Sequence, residues 1–315
     1  LVMDRPMAPE AVAGLMKENG DIEVTPVAPR FEDAFIARLT SRIENEGGSG
    51  PTEDVEGPAP RAEEAGKGDV IVVENVERRF GDFRAVKGIS FRVSRGEIFG
   101  LLGANGAGKS TTFRMLCGLL PASDGRLTVA GEDLRVAPAK ARARIGYMAQ
   151  KFSLYSGLNV TQNLRFFSSA YGLKGSRQKD RIRWAMASFG LKPVAEATSG
   201  DLPLGYKKRL ALAAALMHEP DILFLDEPTS GVDPIARREF WQRIGRLAAA
   251  QVTILVTTHF MDEAEYCDRL VIMAQGEILG EGTPAKIKAR YRSPDRPEPS
   301  LEDAFIAMIS SNGTA

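Results

Sequence analysis

Short apolar runs alternate with amphipathic stretches along most of the chain. Apolar runs bounded by glycine, proline or acidic residues predict strands, and apolar residues at helical spacing predict helices. From residue 69 the pattern predicts an α/β domain with a helical insert at about residues 152–218 and a tail at about residues 293–315. Several strands are apolar throughout, which indicates a sheet buried on both faces. The predicted strands are Val70–Val76, Ile89–Val93, Glu97–Leu102, Leu127–Ala130, Ile145–Met148, Asp221–Leu225, Thr253–Val256 and Leu270–Met273, and the predicted helices include Val160–Tyr171, Arg177–Phe189, Lys207–Met217, Pro234–Ala250 and Met261–Cys267.

A short sequence occurs twice, once near each end of the chain. Residues 31–37 read Phe-Glu-Asp-Ala-Phe-Ile-Ala, and residues 301–307 read Leu-Glu-Asp-Ala-Phe-Ile-Ala. Such identity indicates a repeated domain, so we interpret residues 1–45 as the tail of one copy and residues 69–315 as a second copy. A chance likeness between two amphipathic helices is the alternative. Residues 46–68 are rich in Gly, Pro and acidic side chains, which predicts a flexible linker.

A glycine-rich segment follows the strand that ends at Leu102, and it fits the phosphate-binding pattern G-x-x-x-x-G-K-[ST]. A strand, a glycine loop and a helix in this order aim backbone N–H groups at phosphate oxygens. We expect Lys109 to reach the β- and γ-phosphates of a nucleotide and the Ser110 hydroxyl to hold Mg²⁺. A glycine-rich turn that merely contains a lysine is the alternative. The segment consists of Gly103, Ala104, Asn105, Gly106, Ala107, Gly108, Lys109 and Ser110.

Two apolar strands lead into polar residues suited to nucleotide hydrolysis. The strand ending at Leu225 is followed by Asp226 and Glu227, carboxylates able to order Mg²⁺ and to polarise an attacking water. His259 follows the next strand, where we expect it to donate a hydrogen bond to the γ-phosphate. An acidic surface turn and a structural histidine are the alternative interpretations.

Two further residues have candidate roles in the same chemistry. Gln150 follows a strand at the start of the helical insert, and we expect it to contact Mg²⁺ or the attacking water. Phe80 precedes a glycine after the first strand, where it is placed either to stack on adenine or to pack in the core.

The charge balance excludes one class of partner. Lys and Arg together number 41, as do Asp and Glu, so no net field recruits nucleic acid and we expect none as a partner. Cys117 and Cys267 lie in apolar contexts and predict packed thiols rather than a disulfide or a metal site. The chain has no apolar run of about 20 residues, the length that a membrane-spanning helix needs.

Taken together, these motifs resemble those of ATP-binding cassette (ABC) ATPases over residues 69–315. The resemblance implies a P-loop NTPase fold in the α/β class, with a RecA-like parallel-sheet core, an antiparallel β subdomain and an inserted α-helical subdomain. It implies that two cassettes clamp two ATP molecules head to tail, each phosphate loop facing the signature motif of the partner. The matching motifs are the phosphate loop, the Q-loop residue Gln150, the Walker B segment Leu223–Glu227, the D-loop Ser230, Gly231, Val232 and Asp233, and the switch histidine His259.

The resemblance also implies residue roles and two cofactors, ATP and Mg²⁺. Phe80 corresponds to the aromatic residue that stacks on adenine, and Thr111 to a residue that holds the α-phosphate. The implied Mg²⁺ ligands are Ser110, Gln150 and Asp226, and the implied catalytic residues are Glu227, His259 and Gln150.

The signature motif departs from the family pattern. Family members usually read Leu-Ser-Gly-Gly-Gln, whereas this chain has Leu202, Pro203, Leu204, Gly205 and Tyr206. Pro203 lacks the hydroxyl that would bind the γ-phosphate of the partner's ATP, a charge-assisted contact of roughly 1.5–3 kcal/mol. Leu204 replaces a glycine that permits close backbone approach. We therefore expect one competent site, built on this chain's phosphate loop, and one weakened site, built on its signature.

Within the family, the signature, the repeated tail and the tandem arrangement resemble the second nucleotide-binding domain of tandem ATP-binding subunits of bacterial ABC-2-type exporters. This implies a preceding ABC domain in the same longer chain, separate transmembrane permease subunits, and export of drugs or other amphiphiles. It also implies a peripheral location on the cytoplasmic face of the bacterial inner membrane. Phe152, Leu154 and Tyr155 are candidates either for a permease-binding groove or for the helical core. A tandem ABC protein acting on ribosomes or nucleic acid and a regulatory protein that barely hydrolyses ATP are the alternatives.

Overall fold

The computed structural model describes residues 68–294 and 296–312. The predicted tail at residues 1–45 and nearly all of the predicted linker at residues 46–68 lie outside this part of the chain. Apart from residues 233–235, the described residues belong to one of the two compact units into which the chain divides.

Strands and helices alternate along the described residues. The strands are β1 (Asp69–Phe80), β2 (Phe83–Ser94), β3 (Ile98–Leu102), β4 (Asp124–Val129), β5 (Glu132–Asp133), β6 (Ile145–Met148), β7 (Ile222–Asp226), β8 (Thr253–Thr258), β9 (Arg269–Ala274) and β10 (Glu277–Gly282). The α-helices are α1 (Lys109–Leu116), α2 (Pro138–Arg142), α3 (Val160–Ala170), α4 (Gly175–Ser188), α5 (Leu204–Ala215), α6 (Pro234–Ala249), α7 (Met261–Ala264), α8 (Pro284–Ala289) and α9 (Leu301–Asn312).

A six-stranded sheet in the order β10-β9-β3-β8-β7-β6 forms the centre of the fold. Its strands run parallel except β10, which pairs antiparallel with β9. Side chains of the central strands alternate between two apolar clusters: Leu223 and Leu225 of β7 face one, and Ile222 and Phe224 face the other. The alternation follows from the two-residue period of a strand, and it confirms the predicted burial on both faces.

A second, antiparallel sheet has the order β2-β1-β4-β5 and packs on one face of the parallel sheet. Phe91 of β2 stacks on Phe99 of β3 with ring centroids 5.3 Å apart, which joins the two sheets. The other face of the parallel sheet is covered by α6 and by the helical insert, α3 to α5, which lies between β6 and β7. Together the three parts confirm the predicted fold class.

Local signals fix the ends of the helices in the insert. Helix α3 begins after a capping box, in which Asn159 and Gln162 bond each other's backbone N–H. Helix α5 begins at Leu204, earlier than the predicted Lys207, and Pro203 is its N-cap residue. The N–H that proline lacks lies outside the helix there, so it removes no bond within the helix. Phe152 and Leu154 pack partly buried against the core of the insert, which favours the core interpretation for these two residues.

The C-terminal elements were predicted least well. The helix predicted over Met261–Cys267 ends at Ala264, and the sequence pattern predicted neither β10 nor α8. Helix α9 carries the repeated Glu-Asp-Ala-Phe-Ile-Ala sequence and buries Leu301, Ala304 and Met308 against β9 and its neighbours. Both cysteines are buried and free, as predicted.

Candidate functional site

Three neighbouring parallel strands, β3, β8 and β7, end at one edge of the central sheet. Strand β3 ends at Leu102, β7 at Asp226 and β8 at Thr258. Because parallel strands present their carboxyl ends at the same edge, the segments that follow them meet there, and ligands of open α/β sheets bind at this edge.

The glycine loop between β3 and α1 has the backbone that a phosphate cradle requires. Gly103, Gly106 and Gly108 have φ of +155°, +82° and +99°, a region that residues with a Cβ rarely adopt. A Cβ on Gly103 would lie 2.3 Å from the carbonyl oxygen of Met273. Helix α1 has no side-chain cap and no acidic residue in its first turn, so in the described part of the chain neither a cap nor an acid of this turn competes with an anion for its N-terminus. The loop therefore fits the predicted phosphate site.

Lys109 lies at the centre of this loop. Its ammonium donates hydrogen bonds to the carbonyl oxygens of Gly103 and Ala104, at 2.6 and 3.0 Å. The side chain is only 4% exposed, and this burial lowers the pKa of Lys109, while the charges of Glu227 and Asp226 act against that shift. The positive charge is therefore held inside the glycine loop, on the side of the two acids.

Asp226 and Glu227 are both 9% exposed at the end of β7. Burial raises the pKa of Asp226, while a hydrogen bond from the Thr257 hydroxyl, 2.6 Å from Oδ1, opposes the shift. Glu227 has φ of +43°, a left-handed backbone that costs a non-glycine residue about 1–3 kcal/mol. Strain of this kind is typical of functional positions, since the surrounding structure must hold the residue in place.

The side chains of Gln150 and His259 converge on the Glu227 carboxylate. Gln150 Nε2 donates a hydrogen bond of 2.6 Å to Glu227 Oε2, and His259 Nδ1 lies 3.3 Å from the same oxygen. The structure thus brings together the residues predicted on three separate strands.

The donor set also fits the predicted magnesium ion. Mg²⁺ prefers oxygen ligands, and Asp226, Ser110 and Gln150 each carry a side-chain oxygen. Asp226 is a buried carboxylate beside a second one, so a divalent cation would offset the cost of its burial. When bound, the ion would neutralise phosphate charge, and its assignment to these residues stays a prediction.

Phe80 and Thr111 lie at the margins of the site. Phe80 ends β1 with its ring half-exposed, and the guanidinium of Arg78 stacks over the ring, 4.5 Å from its centroid. Thr111 lies in the first turn of α1, next to the exposed Ser110. Their predicted roles at the adenine and the α-phosphate stay predictions.

The signature residues lie at the start of α5, in the helical insert. Leu202 is buried, Pro203 and Leu204 are exposed, and α5 has neither a side-chain cap nor an acid in its first turn. A Cβ on Gly231 would lie 3.2 Å from Leu204 Cδ2, so the leucine packs over the D-loop glycine. Gly205 and Tyr206, the last two signature residues, are half-buried. In the D-loop, Ser230 is half-buried, Val232 is buried, and Asp233 precedes α6.

Sequence reasoning assigned no role to Thr257, although its hydroxyl joins both acids. It donates to Asp226 Oδ1 and accepts the backbone N–H of Glu227 at 3.0 Å. Thr258, the next residue, points to the opposite side of the strand and donates to Glu263 Oε2 at 2.7 Å. The sequence did contain a signal for these contacts, because two consecutive hydroxyl residues at the end of an apolar strand need hydrogen-bond partners when they are buried.

Glu263 is the second residue that the sequence analysis missed. Its buried carboxylate accepts hydrogen bonds from Thr258 and from Thr229, and Arg237 lies 3.7 Å from it. The carboxylate therefore ties the segment after Glu227 to the segment before His259. Glu263 is one of two adjacent acids in a short helix, and the sequence gave no signal that distinguished it for this contact.

Within residues 68–294 and 296–312, no helix has the length and apolar character needed to cross a bilayer.

Comparisons with known proteins agree with this geometry. The family described as "ABC transporter" matches residues 86–230. The chain is 51% identical to the "Probable multidrug ABC transporter ATP-binding protein YbhF" of Escherichia coli, over 92% of this chain and 49% of that protein. It is 44% identical to the Nod factor export ATP-binding protein I of Burkholderia lata, over 68% of this chain and 71% of that protein. A solved ATP binding subunit of an ABC transporter matches with a TM-score of 0.69 and 28% identity, over 76% of this chain and 99% of that one. The chain thus spans about half the length of the Escherichia coli relative.

Proposed function

The chain belongs to the ABC transporter family of ATP-binding proteins, and from that premise we propose that it binds and hydrolyses ATP as the energy-coupling subunit of a membrane exporter. ATP closes the cassette against a second cassette, and hydrolysis and release reopen it. The motion passes to separate permease subunits of the ABC-2 type.

One observation carries the hydrolytic part of the proposal. Glu227, held in a left-handed backbone, has Gln150 and His259 on its carboxylate and Lys109 nearby in the glycine loop. Glu227 is the general base that polarises water, Lys109 and His259 bind the β- and γ-phosphates, and Asp226, Ser110 and Gln150 hold Mg²⁺. Phe80 and the rest of the glycine loop, with Thr111, bind the remainder of ATP.

The direction and the cargo rest on the relatives. The names of two of them refer to multidrug transport and to Nod factor export, and we propose export of drugs or other amphiphiles here. In the same proposal, a preceding ABC domain in a longer chain completes the head-to-tail pair. The protein is then peripheral, on the cytoplasmic face of the bacterial inner membrane.

The altered signature makes the proposed pair asymmetric. Pro203 and Leu204 stand at the exposed end of α5, where a phosphate of the partner's ATP would approach. We propose that the site built on this chain's glycine loop hydrolyses ATP, and that the site facing this chain's signature is weakened. Equal losses on changing the Walker B glutamate of each cassette in turn would contradict the asymmetry.

Two other functions remain as alternatives. A cassette acting on ribosomes or nucleic acid is disfavoured by the equal numbers of basic and acidic residues. A cassette that barely hydrolyses ATP is disfavoured by the placement of Glu227 and His259.

Co-purification separates the transport proposal from the ribosomal alternative. The tagged full-length protein is expressed in its own cells, extracted in mild detergent, and isolated at low and at high salt. We expect it to bring down integral membrane proteins that remain bound at high salt. Recovery with ribosomal particles, with no integral membrane protein enriched, would contradict the proposal.

A further inference from the structure

Lys208 is a buried lysine to which the proposed mechanism gives no role. It lies in the second turn of α5, the helix that begins with the signature residues. Its side chain is 7% exposed, whereas Lys207, the residue before it, is half-buried over the ring of Phe152. Lysine is seldom buried unless its charge is paired or bonded, so its contacts need an explanation.

A chain of two hydrogen bonds leads from Lys208 to the Glu227 carboxylate. Lys208 Nζ donates to the backbone carbonyl oxygen of Gln150 at 2.9 Å. Gln150 Nε2 in turn donates to Glu227 Oε2 at 2.6 Å. A residue of the helical insert therefore holds the main chain of the residue whose side chain bonds the candidate base.

The negative charges that act on Lys208 belong to residues outside its own helix. Burial lowers the pKa of Lys208, and the negative charges of Glu227, Asp226 and Glu263 oppose that shift. Leu212, one turn further along the same face of the helix, is buried and apolar, so an apolar side chain would suit part of these surroundings. A buried charge that an apolar residue can replace is weak evidence for a stabilising role, which favours a functional one.

We propose that Lys208 is a positioning residue that holds Gln150 on the Glu227 carboxylate and so links the signature helix to the hydrolytic site of the same cassette. The inference rests on the proposed ATPase activity and deepens it. When the helical insert moves against the sheet, α5 carries Lys208 with it, and the bond to the Gln150 carbonyl transmits that movement to Glu227. The link runs from the Lys208 ammonium through the main chain and the side-chain amide of Gln150 to Glu227, and Lys208 itself has no proposed contact with ATP.

The first test compares Lys208→Met with Lys207→Met in the full-length protein. Methionine keeps the length of the side chain and removes its charge and its donor. We expect Lys208→Met to lower kcat for ATP by about tenfold to a hundredfold, the value of a hydrogen bond from a charged group, with KM changed less than about twofold. The melting temperature should not fall, because a buried charge has been replaced by an apolar group. Lys207→Met should match the wild type.

A double-mutant cycle then tests whether Lys208 acts through Gln150. If it does, Lys208→Met should have little further effect on kcat in a Gln150→Ala background, because the amide that it positions is gone. If the fold-reductions in kcat of the two single variants multiply in the double variant, the inference is wrong. A wild-type kcat for Lys208→Met would also overturn it. Lys208→Leu, which likewise removes the charge and the donor, replaces the methionine variant if that variant fails to fold.

Failure of this inference differs from failure of the proposed function. Glu227→Gln in the same assay reports on hydrolysis itself. If Glu227→Gln abolishes turnover and Lys208→Met does not reduce it, hydrolysis stands and the positioning role is wrong. If Glu227→Gln leaves turnover unchanged, the proposed hydrolytic function is wrong and the positioning role falls with it.

Discussion

Two regions of this chain have different proposed contacts with ATP, and they are built differently. The glycine-loop region, residues 103–110 with the acids at the end of β7, is proposed to bind this chain's own ATP, and the signature region, residues 202–206, to face the partner's ATP. In the first, Lys109, Asp226 and Glu227 are buried. Glu227 accepts a hydrogen bond from Gln150, Asp226 accepts one from Thr257, and Lys109 donates to carbonyl oxygens of the glycine loop. In the second, Pro203 and Leu204 are exposed at a helix end that has no side-chain cap.

The two regions differ in how much folding stability their functional residues cost. Buried charges and a left-handed Glu227 reduce stability, so their presence indicates that the glycine-loop region is retained for chemistry. The signature region bears no such cost: Leu204 lies over Gly231, and an apolar contact stands where the family has a small polar motif. In the proposed account, one cassette therefore combines a complete catalytic half with an altered complementary half.

Of the variants considered, Lys109→Ala should lower ATP hydrolysis the most, because it removes a central residue of the glycine-loop region. Removing the charge at the centre of the glycine loop should lower kcat/KM for ATP by about a hundredfold or more, because its stabilisation of phosphate charge is lost. Steady-state phosphate release measures this, with the exposed Lys140→Ala as a matched control. Retention of kcat/KM within threefold would show that the loop does not bind phosphate as proposed.

Restoring two residues of the family signature should strengthen the contact between the signature region and the partner's ATP. The double variant Pro203→Ser, Leu204→Gly supplies a hydroxyl and a small residue at the start of α5. In a Glu227→Gln background that slows hydrolysis, we expect ATP-dependent dimerisation of the chain to tighten by about tenfold to a hundredfold. Light scattering at several concentrations measures the dissociation constant. An unchanged constant would place the altered signature outside the nucleotide contact.

Thr257→Val should weaken the catalytic half without removing any residue that contacts ATP in the proposal. The valine keeps the shape and loses the bonds to Asp226 and to the Glu227 N–H. We expect kcat to fall by about tenfold, the value of one lost bond to a charged group. Thr128→Val, on β4 of the antiparallel sheet, is the control. If both variants retain wild-type kcat, Thr257 does not position the acids.

Asp303→Ala should have the smallest effect, because it lies outside both regions. Asp303 and Ser300 bond each other's backbone N–H at the start of α9, and these bonds from Ser300, with the charge of Arg296, lower the pKa of Asp303. The melting temperature should fall by about 2 °C at neutral pH, as for a lost helix cap, with kcat unchanged. Because the folded pKa is the lower one, the stabilisation is lost as pH falls through it, so variant and wild type should converge in acid. A difference that persists there would contradict the capping role.

The elements with strong periodicity or buried apolar runs could be predicted from the sequence. The position of the candidate site at the ends of these strands could be predicted with them. Strand β6 was predicted with its observed ends, and Asp226, Glu227 and His259 could be placed at one sheet edge because parallel strands share that edge. The sequence could not predict contacts between distant segments. The bonds of Glu263 to Thr229 and Thr258, and of Lys208 to Gln150, depend on how the helical insert and α7 pack on the sheet. Strand β10 was missed because its Gly-Glu-Gly end lacks an apolar run.

The measurement that tests the central claim most directly is ATP turnover of the full-length protein with Glu227→Gln. Glutamine keeps the hydrogen bonding and removes the base, so turnover should fall by about two orders of magnitude or more while ATP binding is retained. Glu277→Gln, at an exposed position of strand β10, should match the wild type. If Glu227→Gln turns over at the wild-type rate, this cassette is the regulatory one, and the roles proposed for the two nucleotide sites must be exchanged.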